Sequence, residues 1–220
     1  MKRNQSGFTL IEIAIVLVII GLLLGGVMKG QELINSAKVK NLASDFKNTA
    51  LYIYSYQDKY KALPGDDALA SAHVTGAHLA KTTSRGDGKI DGPWSTYPGT
   101  AIVDGSDDES VVFWEHIRLA GIAAGVTGGT DAAYVPRNTQ GGVIGVTNQA
   151  QSPVGGLKGA YIICSGGIQG KFAKQLDIMI DDGVSNSGSM MAAAEPISGA
   201  SATPATTVVD TDSYTVCQGV

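Results

Sequence analysis

The chain is poor in the residues that most often carry catalysis, metal binding and nucleic-acid recognition. It has 2 cysteines and 3 histidines among 220 residues, and only 16% of its residues are charged. The net charge is −4, and no block of basic residues follows Lys2 and Arg3, so the global charge does not indicate nucleic-acid binding. Glycine is abundant, at 29 residues, which favours a loop-rich domain over a helical bundle.

Motifs of common active sites are also missing from the sequence. It contains no G-x-S-x-G nucleophile elbow, and no glycine pair is followed by the GK[ST] of a phosphate-binding loop. His73 and His78 lie in a polar connection without a cysteine or carboxylate at metal-ligand spacing. His116 is expected on the exposed side of a helix. The sequence therefore predicts a protein that is not an enzyme and needs no cofactor.

One long apolar run lies near the N-terminus. Residues 10–28 carry a single charge, that of Glu12, and the run is long enough to span a membrane. A secretory signal peptide has a shorter apolar stretch and an A-x-A-like cleavage site, and no such site follows Met28. A plain membrane anchor has no use for a carboxylate, because an ionised group is costly in hydrocarbon.

The stretch SGFTLIEIAIVLVIIG, residues 6–21, resembles the signature of type IV pilins and type II secretion pseudopilins. The resemblance implies that prepilin peptidase cuts between Gly7 and Phe8, removes residues 1–7 as a leader and methylates the new N-terminus on Phe8. It also implies that Glu12 interacts with the N-terminal amine of a neighbouring subunit in a helical filament. A buried carboxylate is tolerable beside a cation and costly alone, so this role explains the charge.

The resemblance further implies partners and a location. The precursor would wait in the inner membrane of a bacterium until an assembly platform draws it into a periplasmic or cell-surface filament, together with other minor pilins or pseudopilins. Adhesion, motility and DNA uptake are all compatible with such a filament. Many relatives carry a proline near the end of the apolar run, whereas this chain has Lys29 and several nearby glycines.

Three functions stay open on these residues. A pilus subunit comes first, because the C-terminal cysteines bound a region like that of type IV pilins. A type II secretion pseudopilin comes second, because the proline is missing. A membrane-anchored periplasmic binding module comes third. Its membrane anchor would be more stable without Glu12, because an ionised carboxylate is costly in hydrocarbon.

Helical periodicity continues beyond the apolar run. Apolar side chains at 39, 42, 46, 50 and 53 fall on one helix face, and Pro64-Gly65 favours an end to the helix. We expect one helix over about 8–61, with residues 8–29 as the transmembrane and filament-core half and residues 30–61 as the amphipathic half. The expected fold is α+β and pilin-like, with this helix packed on a small antiparallel sheet in a globular head, residues 62–220.

Local patterns predict the elements of that head. Ser106 and Glu109 fit a capping box before a helix that buries Phe113, Ile117 and Ala120 and ends at Gly121. A second helix over 171–183 is expected to bury Phe172, Leu176, Met179 and Ile180, and strands are expected at 141–146, 159–164, 206–209 and 213–217. Residues 184–207 are rich in Ser, Ala, Gly and Thr, which predicts an exposed, mobile loop.

Cys164 and Cys217 are the cysteines of the chain. Export across a membrane leads to an oxidising compartment, where a lone pair of cysteines is most simply a disulfide. Two free buried thiols are the alternative. Type IV pilins often have a disulfide-bounded C-terminal loop, and the layout of this chain is similar.

The stretch RGDGKIDG, residues 85–92, raises the question of calcium. Asp87 and Asp91 fit the fifth and ninth positions of an EF-hand loop, but Thr83, Arg85 and Trp94 occupy its first, third and twelfth positions. A glycine-rich turn with two solvated aspartates is the simpler interpretation. Some pseudopilins that resemble this chain bind calcium in the head, so Asp87 and Asp91 stay as weak candidates for metal ligands.

Overall fold

The computed structural model describes residues 9–83, 85–195, 197 and 201–220. Its helices are α1 (Leu10–Tyr60), α2 (Ala70–His73), α3 (Glu109–Leu119) and α4 (Gly170–Ile180), with a short 3-10 helix at Gln149–Gln151. Its strands are β1 (Ile144–Thr147), β2 (Ile162–Gln169), β3 (Met190–Ala194) and β4 (Ser213–Gly219). The long helix and the antiparallel sheet confirm the α+β, pilin-like fold.

The chain divides into two compact units. The N-terminal unit comprises residues 1–38 and is described from Thr9 onward, and the C-terminal unit comprises residues 39–220. The part of α1 within the C-terminal unit buries Val39, Leu42, Phe46 and Ile53 in the core, as the periodicity predicts. Ala50, the remaining member of that face, is half-buried.

The sheet has the strand order β1-β2-β4-β3, with every neighbouring pair antiparallel. The last strand of the chain, β4, therefore lies between two others. A bulge shifts the register of β2 between Ser165 and Ile168, and Gly167 within it has a φ of +67°, a conformation that glycine adopts without strain.

The prediction of an exposed, mobile loop over residues 184–207 is wrong for residues 190–194. These residues form β3, whose first four side chains are buried. Methionine and alanine are weak strand formers, so the pairing with β4, rather than local propensity, makes this segment a strand. The strand expected at 206–209 is also wrong, because those residues are irregular.

The start of α3 differs from the expected capping box. The residue before the helix is Asp108, whose side chain makes no capping hydrogen bond but pairs with Lys81 at 2.7 Å. Ser106 lies in the preceding turn. Glu109 is buried and accepts a hydrogen bond of 2.7 Å from the Asp91 amide, so tertiary contact overrides the local capping pattern.

The ends and faces of the short helices follow the sequence patterns in part. Gly121 has a φ of +73° just beyond α3, where a helix-ending glycine is expected. Ala120 is only half-buried. In α4, Phe172 and Leu176 are buried as expected, whereas Ile180 is only half-buried and Met179 is exposed. The buried face of this helix includes Asp177 instead.

Candidate functional site

Among the described residues, the most exposed apolar surface is the first part of α1. Residues 9–29 are all exposed, and within them Glu12 is the only acidic residue. Among the described residues, α1 is the one helix whose length and composition would allow it to cross a membrane. A run of bare apolar side chains on this scale requires a lipid or protein partner.

Glu12 stands at the start of this surface and is bound to Thr9. Its carboxylate accepts hydrogen bonds from the Thr9 amide at 2.7 Å and the Thr9 hydroxyl at 2.6 Å, and the Glu12 amide lies 3.3 Å from that hydroxyl oxygen. Reciprocal bonds of this kind form a capping box. The sequence carries the corresponding T-x-x-E pattern at Thr9 and Glu12, so this contact was predictable from sequence. Gly7 and Phe8 lie outside the described residues.

A cleft of about 740 Å³ lies in the C-terminal unit beside the end of α1. Asp67 is buried there and accepts hydrogen bonds from the Tyr56 hydroxyl at 2.9 Å, the Leu69 amide at 2.8 Å and Nδ1 of His73 at 2.7 Å. The ring of His73 stacks on that of Tyr60, with centroids 5.5 Å apart. These contacts hold the segment that follows α1 in place. The described residues that line the cleft include no serine, threonine or cysteine.

The loop of residues 85–92 folds around a carboxylate. Both oxygens of Asp66 accept amide hydrogen bonds, from Gly86 and Asp87 on one oxygen and from Gly88 on the other. Burial raises the pKa of Asp66, and these amides offset part of the shift. Converging amides favour an anion, and here the carboxylate of Asp66 is that anion.

Asp87 and Asp91 take up different surroundings in this loop. Asp87 accepts bonds from the Lys89 amide and ammonium group, while Asp91 accepts from the side-chain amide of Asn148. One oxygen of Asp87 lies within 4.8 Å of oxygens of Asp66 and Glu109, so these three carboxylates could hold a metal ion. Asp91 is not part of that group.

The histidines occupy positions different from those expected. His116 is fully buried, because α3 is enclosed on all sides rather than exposed on one. Its Nδ1 accepts from the Gly65 amide at 3.0 Å, and its Nε2 donates to the His78 carbonyl at 2.7 Å. Burial lowers the pKa of His116, so the imidazole is neutral. His78 pairs with Glu115 at 2.9 Å, a carboxylate that is distant in sequence.

Cys164 and Cys217 form a disulfide between β2 and β4. The two residues are directly opposite each other in the antiparallel register, and both are fully buried. The disulfide lies in a small apolar cluster that includes Val154, Leu157 and Met191. The covalent link thus joins the two strands at the centre of the sheet.

Comparison with known proteins adds one finding. The model of the prokaryotic N-terminal methylation motif matches residues 2–28. No curated protein and no solved structure matches the chain significantly. The motif spans the exposed apolar surface of α1 and Glu12, and the chain therefore carries the prepilin signature shared by type IV pilins and pseudopilins.

Proposed function

We propose that this chain is a structural subunit of a type IV pilus. Prepilin peptidase would cut the membrane-anchored precursor between Gly7 and Phe8 and methylate Phe8, and the assembly platform of the inner membrane would then add the subunit to a filament. The observation that carries the proposal is the exposed apolar surface of residues 10–28 with a carboxylate at its start. The matched methylation motif supports the processing steps.

The surface of residues 10–28 suits two successive environments. In the precursor, lipid covers the apolar side chains, and in the filament, equivalent helices of other subunits cover them. Glu12 is costly in the first environment and useful in the second, where the N-terminal amine of a neighbour neutralises it. Before assembly, Thr9 satisfies part of the carboxylate, which reduces the cost of holding it in the membrane.

The C-terminal unit supports a structural rather than a catalytic role. The carboxylates of its cleft are engaged by Tyr56, His73 and backbone amides, so they hold the fold together. The disulfide between β2 and β4 supports a pilus subunit, because it ties down the C-terminal region that filaments of this class expose.

A type II secretion pseudopilin is the second candidate. α1 runs from Leu10 to Tyr60 and passes through Lys29 without a proline, which favours this alternative. Its short filament would drive the export of other proteins and would remain in the envelope.

Intact mass and N-terminal sequencing of the protein from sheared surface filaments and from membranes test the proposal. A chain that begins at methylated Phe8 and is abundant in the sheared fraction supports the pilus subunit. Methylated Phe8 found only in the envelope favours the pseudopilin. A chain that still begins at Met1 would overturn both the pilus subunit and the pseudopilin. A Gly7→Arg variant provides the unprocessed control, since the peptidase needs a small residue before the cut.

A further inference from the structure

Three carboxylates meet at the C-terminal end of α4. Asp177 and Asp181 are one helical turn apart, and Asp182 follows directly. One oxygen from each lies within 4.8 Å of the others. Asp177 is 3% exposed, whereas Asp181 and Asp182 are progressively more open to solvent, so the cluster runs from the interior to the surface.

The carboxylate of Asp177 lacks the partners that a buried anion needs. Within the described part of the chain, neither of its oxygens accepts a hydrogen bond. The lysine one turn earlier, Lys174, pairs instead with Asp210 at 2.7 Å. A buried ionised carboxylate without compensation is strongly unfavourable, and the two neighbouring aspartates add repulsion.

The electrostatics of Asp177 agree with this geometry. Burial, followed by the charges of Asp182 and Asp181, raises the pKa of Asp177 to about 6. The Gly183 amide offsets part of the shift without reaching hydrogen-bonding geometry. The three carboxylates therefore bring like charges together around one buried position, which favours a bound cation.

The two outer carboxylates are already held in position. Asp181 accepts the Met190 amide at 2.8 Å, and Asp182 accepts the Val184 amide at 2.8 Å and the Ser187 hydroxyl at 2.9 Å. Each oxygen of a carboxylate has two acceptor sites, so these bonds leave lone pairs for a ligand.

We propose that Asp177, Asp181 and Asp182 bind a divalent cation of the Ca²⁺ type. The donors are all carboxylate oxygens, which suits hard cations rather than zinc or copper. An irregular set of oxygens at the end of a helix and in the loop after it suits Ca²⁺ better than Mg²⁺, which demands a near-ideal octahedron and retains its water. This site is separate from Asp87 and does not depend on the proposed function.

The cation would connect α4 to the edge of the sheet. Asp181 contacts the first residue of β3 through the Met190 amide, and the next residue, Met191, is opposite Cys217 in the register. An ion on Asp181 would therefore order residues 182–189 and fix the start of β3.

Thermal unfolding and calorimetric titration of the full chain in detergent, after removal of metal with a chelator, test the site. We expect Ca²⁺ to bind with a Kd of about 0.1–1 mM, as in extracellular modules. At roughly ten times that concentration it should raise Tm by about 3–6 °C, and equal Mg²⁺ should raise it less. No Ca²⁺-dependent shift in the wild-type chain would overturn the proposal.

Two variants separate this site from the other acidic group. Asp177→Asn should abolish the Ca²⁺-dependent shift, whereas Asp87→Asn, which alters the group around Asp66, should retain it. A shift that survives in Asp177→Asn and is lost in Asp87→Asn would overturn the assignment. If Asp177→Asn does not fold, Asp182→Asn decides instead, because loss of the shift there supports the site and full retention contradicts it.

Discussion

Tyr56 on α1 donates a hydrogen bond of 2.9 Å to the carboxylate of Asp67, and both side chains are buried. The same carboxylate oxygen faces Nδ1 of His73, whose ring stacks on Tyr60 of α1. The helix and the segment that follows it thus share one polar network. This network fixes the position at which the end of α1 meets the rest of the C-terminal unit.

Replacement of Tyr56 by phenylalanine should reduce the stability of the C-terminal unit. The ring would still pack, but Asp67 would lose one of its donors in a buried site, which costs about 1–3 kcal/mol. Tyr54→Phe is the matched control, because Tyr54 lies on the same helix and is half exposed. Chemical denaturation of the full chain in detergent measures both variants. Equal stability of Tyr56→Phe and wild type would show that the hydrogen bond contributes nothing.

Neutralising Glu12 should prevent filament assembly without harming the precursor. Glu12→Gln keeps the size of the side chain and removes the charge that would pair with a neighbour's N-terminal amine. We expect normal membrane insertion and cleavage but no protein in the sheared surface fraction. Glu32→Gln serves as the control, because Glu32 is an exposed residue of the same helix that pairs with Lys29. Wild-type amounts of filament from Glu12→Gln would refute the assembly role.

Loss of the disulfide should destabilise the C-terminal unit strongly. The bond spans a sequence separation of 53 residues, and the chain-entropy model then gives about 4 kcal/mol. We expect a double Cys164→Ala and Cys217→Ala variant to unfold at lower denaturant concentration than the oxidised wild type, and reductant should have no effect on it. A wild type equally stable with and without reductant would contradict this prediction.

The buried imidazole of His116 should make stability depend on pH. Its pKa is lowered in the folded state, so below the unfolded value of about 6.5 the unfolded chain binds a proton that the folded chain excludes. The His116 contribution therefore weakens stability as pH falls through 6.5, by up to about 1.4 kcal/mol per pH unit.

His116→Gln removes this titration and provides the comparison. The variant should be less stable than wild type at pH 7.5, because it loses hydrogen bonds to Gly65 and His78, and the difference should shrink towards pH 5.5. Unfolding free energies measured at several pH values give the answer. A constant difference over that range would mean that His116 does not titrate as described.

The helical periodicity of apolar residues predicted α1 well. The helix expected over about 8–61 is observed from Leu10 to Tyr60, and Val39, Leu42, Phe46 and Ile53 are buried on one face. Such a pattern can be recognised from sequence because all of its apolar residues lie on the same face of one helix. The N-terminal signature is similarly local, since the methylation motif lies within residues 2–28.

Features that depend on distant contacts were not predictable in this way. Glu109 and His116 are polar residues on a helix, and the sequence gives no sign that Asp91, Gly65 and His78 come to satisfy them. The strand β3 consists of methionine and alanine, which are weak strand formers, and only its pairing with β4 reveals it. Similarly, Asp177, Asp181 and Asp182 read as an ordinary helix end until the burial of Asp177 is known.

The position of β4 determines when the sheet can form. β4 follows the other three described strands in sequence, and it pairs with both β2 and β3. The sheet can therefore be completed only when residues 213–219 are in place between β2 and β3. Until then β2 and β3 have unpaired edges, and Cys164 has no partner. Formation of the sheet thus depends on a seven-residue strand, so a chain without residues 213–219 should leave its C-terminal unit unfolded however complete α1 is.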